Sequence, residues 1–142
     1  MECLTFNTGA EAPAHAVAMI VAANGRIDDV ELRALDELDA YHRLGVTRQR
    51  FLDLARQCVR KVGAGLCDRE WMRVDDLVYH DALLDAVACE DGRLLVCRLA
   101  AAVITADGRI TRDERLVYDR MLAHWRISQA MVTRAILEDR VH

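Results

Sequence analysis

A fifteen-residue segment occurs twice in this chain, and the duplication constrains the fold more than any other feature. Residues 17–31 read VAMIVAANGRIDDVE, and residues 100–114 read AAAVITADGRITRDE. Each copy is an apolar helix end, a turn-forming Asn or Asp, then Gly-Arg-Ile and a following Glu. Asn24 aligns with Asp107, Ile27 with Ile110, and Glu31 with Glu114. A solenoid needs at least three units. Two copies therefore predict a pseudo-repeat inside one domain, spanning about 14–62 and 94–139.

The period of the apolar residues makes both copies helical. One Pro, few aromatics and many Ala, Leu, Arg and Glu residues favour helices, and no alternating strand pattern occurs. The expectation is an all-α domain of six to eight short helices over 13–142, after an irregular tail over 1–12. Pro13 suits a first helical position, and Asn24-Gly25 closes that helix. A second helix is expected from Asp29 to Arg43, with Ile27, Val30, Ala34, Leu35, Leu38 and Tyr41 as its apolar stripe. Gly45 breaks it, and Thr47 caps the next.

Gly63-Ala64-Gly65 reads as the link between halves. Asp68 can cap a fourth helix carrying Trp71, and residues 81–89 read either as a further helix or as a continuation of the fourth. Asp91-Gly92 reads as a turn. A nearly all-apolar helix from Leu94 to Ala106, interrupted only by Arg98, should be central. Thr111 starts a helix that ends near Trp125. Ser128 caps the last, with Met131, Val132, Ala135 and Ile136 facing inward.

The net charge is -4. That argues against nucleic acid, which needs a concentrated basic surface. Five cysteines (Cys3, Cys58, Cys67, Cys89, Cys97), an odd number without any CxxC, argue against a disulfide framework. Cys58, Cys89 and Cys97 read as small core residues. Residues 1–13 lack a basic start and a long apolar stretch. The longest apolar run, Ala16–Ala23, is far short of the about 20 residues a membrane span requires. The expectation is a cytoplasmic protein.

The repeated polar residues have two readings. In the first they are helix punctuation. Thr111-Arg-Asp-Glu114 has capping-box spacing, with the hydroxyl accepting from the amide of residue 114 and the Glu reaching back to the amide of residue 111. Asp28-Asp-Val-Glu31 has the same spacing, with Asp as the cap. In the second they hold a divalent cation such as calcium. Asp-Gly-x-Ile-x-x-x-Glu matches the second half of an EF-hand loop. The earlier ligand positions fall on Ile20, Ala22, Val103 and Thr105, so neither copy is an ordinary EF-hand. An incomplete site can still be drawn from Asp107, Asp113 and Glu114, or from Asn24, Asp28 and Glu31, completed by carbonyls and water.

With two such segments flanked by amphipathic helices, the chain resembles the TerB tellurite-resistance family over roughly residues 14–139. That fold also occurs as the middle domain of DjlA-type co-chaperones. The second copy, Ala106-Asp107-Gly108-Arg109-Ile110 with Glu114, is the closer match. The first has Asn24 where Asp is usual, and the second has Thr111 where an acid is common. The resemblance implies a non-enzymatic bacterial stress-response protein with acidic sites for metal ions. It also implies partners among other proteins of a stress-response system. The alternative is a protein-interaction module in which the repeated residues are caps only.

Other constellations are weaker. His42 and His124 sit at the ends of matching helices, where an imidazole can bond the last carbonyls. Asp39-x-x-His42 and Asp76-x-x-x-His80 lack the Glu-x-x-His pairs of di-iron bundles. Val62-Gly-Ala-Gly65 lacks the Lys-Ser/Thr of a phosphate loop. Trp71 and Trp125 read as core residues.

Overall fold

A computed structural model describes residues 7–23, 27–63, 74–106 and 108–141. Eight helices and no strand occur among the described residues: α1 (Asn7–Val21), α2 (Asp29–Glu37), α3 (Ala40–Leu44), α4 (Arg48–Gly63), α5 (Val74–Asp85), α6 (Glu90–Thr105), α7 (Arg112–Trp125) and α8 (Gln129–Val141). No described helix is long and apolar enough to cross a membrane.

Two helices form the centre. α1 packs on α4, α5 and α6, while α6 packs on α1, α2, α7 and α8. Every residue from Ala16 to Ala23 is buried. In α6 the run Val96–Ala101 is buried too, as are Val103 and Ile104. A helix apolar on all sides has to sit inside. The alanines of α1 let its neighbours approach closely, and larger side chains from α4 (Phe51, Leu54) and α7 (Val117, Met121) complete the core.

The single polar break in α6, Arg98, is 8% exposed and donates to Asp139 of α8 at 2.8 Å. Arg43 of α3 meets the same carboxylate at 3.3 Å. Burial alone would push Asp139 up, but the two guanidinium groups more than offset it and hold it below its usual range.

Several boundaries differ from the pattern. The tail expected over 1–12 is helical from Asn7, with Pro13 inside α1. Pro has no N–H to give, so the turn before it must be held from outside. It is: Arg50 of α4 grips Glu11 through two bonds of 2.6 and 2.7 Å, and Ala12 and Ala14 are buried. Asp91 and Gly92 form no turn and lie in the first turns of α6. Of the two readings of 81–89 the structure shows the continuous one, with residues 81–85 as the end of the single α5, which stops at Asp85 rather than 89. Asp68, Trp71 and the 64–65 part of the Gly63–Gly65 link lie outside the described residues.

The helix expected over 29–43 is broken. Asp39 takes a left-handed conformation with φ 54° and separates α2 from α3. From Glu31 to the closing Gly45 the first copy is two residues longer than the second, from Glu114 to Arg126. The break absorbs the surplus, while α7 runs through without one. Asp tolerates this conformation better than most residues. Val30 and Met131, expected inside, are 38% and 45% exposed.

Candidate functional site

At the start of α7, both halves of the capping box form. The Thr111 hydroxyl accepts from the Glu114 amide at 3.1 Å, and Glu114 Oε1 accepts from the Thr111 amide at 3.0 Å. Before it, Gly108 has φ 77°, a conformation Gly adopts without the steric cost a Cβ brings. Glu114 is 1% exposed, and its Oε2 is buried without a hydrogen-bond partner among the described residues. Asp113 beside it is half-buried.

The α2 start is related but not identical. Asp28 caps it by accepting from Val30 N at 2.9 Å, one residue earlier than box geometry predicts. Glu31, at the position of Glu114, is likewise 1% exposed. Asp107 and Asn24, the turn residues of the two candidate cation sites, lie outside the described residues. Among the described residues no three His, Cys, Asp or Glu side chains come together as a metal-holding group. The described donors thus give each start one buried carboxylate, not the six to eight oxygens of a calcium cage.

The helix-end histidines make other bonds than expected. His42 lies 3.3 Å from Asp39, and His124 Nε2 lies 2.6 Å from Asp85 of α5. The last carbonyls of their helices are already taken by the corner amides: Gly45 and Val46 bond His42 O and Tyr41 O, while Arg126 and Ile127 bond Ala123 O and Leu122 O. The imidazoles therefore turn to carboxylates.

His124–Asp85 belongs to a ladder joining α5 and α7. Arg120 holds Asp81 with bonds of 2.8 and 2.7 Å, and Trp125 donates its indole N–H to Leu84 O at 3.1 Å. Next to the ladder His80 is fully buried, and neither ring nitrogen has a hydrogen-bond partner among the described residues. Burial pushes its pKa down to about 4; Asp81 pulls it up, while Arg120 and His124 push it further down. The sequence gives no sign of this, because whether a His finds a partner is decided by packing.

Cys58 and Cys97 are buried as expected, and burial pushes the Cys97 thiol up to about 12. Such a thiol is inert as a nucleophile at neutral pH. Cys89, expected in the core, is exposed as the N-cap of α6.

A cavity of about 220 Å³ opens between the start of α6 and the α7–α8 corner. Leu94, Trp125, Ile127 and Met131 give it apolar walls, and four charged side chains line it as well. A shallower one of about 190 Å³ adjoins it between α6 and α8, sharing Asp91 and Leu94.

No family model, curated protein or solved structure matches this chain.

Proposed function

We propose that the chain is a non-enzymatic, TerB-like helical module of the tellurite stress-response class, acting in the cytoplasm. On this reading Glu114 and Asp107 are the first ligand candidates for a divalent cation at the α7 start, with Asp113, next to Glu114 in the sequence, as a third; Asp28 and Glu31 are the weaker counterpart. The observation that carries this reading is the second oxygen of Glu114. Its partner oxygen caps the helix, while Oε2 stays buried and without a hydrogen-bond partner among the described residues. A buried carboxylate oxygen with no donor is costly, and a cation supplies the missing interaction.

An internal two-fold relation supports the family reading. Two helix starts each bury a Glu, and two corners close with the same pair of backbone bonds. Each corner is followed by a hydroxyl cap: Thr47 accepts from Arg50 N at 3.0 Å, and Ser128 from Met131 N at 3.2 Å.

The second reading is an interaction module whose repeated carboxylates only cap helices. The completed box at Thr111 and Glu114 favours it. Titration with calcium, magnesium, manganese and zinc, followed by backbone amide shifts, separates the two. The cation reading predicts shifts from Gly108 to Glu114 that disappear in Glu114→Gln, which retains the cap. No movement up to millimolar metal would sink it and leave the cap.

A further inference from the structure

The two helix corners supply an internal comparison. At the first, Gly45 has φ 79° and its amide bonds His42 O, while Val46 N bonds Tyr41 O. At the second, Arg126 has φ 56°, with the same two bonds made by Arg126 N and Ile127 N. The backbone geometry asks for glycine, and one corner has it. Arg126 holds the other in a conformation that strains any residue with a Cβ. Its exposed side chain makes no hydrogen bond or ion pair among the described residues that would offset the strain. What it does is line the 220 Å³ cavity.

The rest of that cavity is built to match. Arg93 is fixed on its wall by donating Nε–H to Val87 O at 2.8 Å, with its guanidinium 6.0 Å from the Trp125 ring centroid. Glu90 and Asp91, in the first turn of α6, bring negative charge to the same opening. Neither has an ion-pair partner among the described residues. The Trp125 indole, Ile127 and Met131 line the same cavity, the last 45% exposed. Strain retained beside an unpaired charge in a cavity is the pattern expected where a ligand is held.

We infer that this cavity binds a small zwitterion with an apolar body, the chemistry of an apolar or aromatic α-amino acid. Arg126 and Arg93 receive the carboxylate, Glu90 and Asp91 the ammonium group, and the apolar walls take the side chain. The cavity of about 220 Å³ is about seven waters' worth, of the order of the body of one such amino acid.

L-leucine and L-phenylalanine are the probes, titrated into the full chain to about 20 mM and followed by amide and indole shifts, a range suited to weak binding. Shifts should localise to Arg93, Trp125, Arg126 and Met131. L-leucinamide, lacking the carboxylate, and N-acetyl-L-leucine, lacking the cation, should each bind at least about tenfold more weakly, the loss of one charge-assisted contact. Arg126→Gly should bind L-leucine at least about tenfold more weakly while its Tm rises by about 3 °C, because glycine relaxes the corner. That opposition separates binding from folding. Asp91→Asn, on the exposed surface, should weaken L-leucine while leaving N-acetyl-L-leucine unchanged. The inference is overturned by an absence of localised shifts, by an N-acetyl derivative that binds as well as the free amino acid, or by Arg126→Gly retaining its affinity.

Discussion

His80 makes stability fall in mild acid, by an amount that follows from its surroundings. The ring is fully buried on α5, which packs on both α1 and α7, and neither nitrogen has a partner among the described residues. The charges that reach it are Asp81, Arg120 and His124, and burial dominates, leaving a pKa of about 4 against 6.5 for an ordinary His. Between those values the unfolded chain binds a proton that the folded chain refuses. Stability is therefore full above the unfolded pKa and declines as pH drops toward the folded one.

The slope approaches about 1.4 kcal/mol per pH unit, so moving from about pH 7 to about pH 5 should remove roughly 2 kcal/mol through this residue. Urea unfolding at both pH values, for the natural chain and for His80→Leu, isolates the contribution. Other titrating groups, including the half-buried His15, are common to both proteins and cancel. The variant should lose about 2 kcal/mol less on acidification. At neutral pH it should be no less stable, because Leu removes two unsatisfied polar atoms from the interior. Equal acid losses in the two proteins would refute the reasoning.

Thr111→Ala should lower stability by about 1 kcal/mol in thermal unfolding, the usual value of an N-cap hydroxyl. Gly92→Ala should raise it by about 0.5–1 kcal/mol. Gly92 is helical, and a Cβ there would meet only Val87 Cγ1 at 3.6 Å and Pro13 Cγ at 4.0 Å, both ordinary contacts. Asp139→Ala should cost about 3 kcal/mol by leaving the buried Arg98 guanidinium without its carboxylate. Adding Arg98→Met should recover most of that loss, and chemical denaturation of the single and double variants tests both statements.

The helical class, the central α6, the caps at Thr47, Thr111 and Ser128, and the corner at Gly45 were readable because each is encoded within a few residues. Asp39 was not. Its break depends on where Gly45 must close and on two surplus residues, which local propensity does not sense. The early start of α1 was hidden for a related reason. Glu11 and Arg50 are 39 residues apart, and their ion pair holds the turn that Pro13 weakens. The same separation hid the Asp81–Arg120 and Asp85–His124 pairs. At the candidate site the sequence named Glu114 and its cap but predicted neither carboxylate's burial. A charged residue at the third position of a helix reads as exposed, and only tertiary packing covers it. Arg126 was passed over because an Arg after a helix end looks like ordinary surface.

The intimate contact of α1 with α6 has a consequence for how the molecule comes apart. α1 belongs to the first copy of the repeat and α6 to the second, and each is the other's solvent shield. Cutting the chain between the copies would leave both pieces with a greasy helix and nothing to cover it. Neither half should fold on its own. The protein should melt in one cooperative transition, and the amides in the middle of α1 and α6 should be the last to exchange with deuterium, doing so only when the whole structure opens.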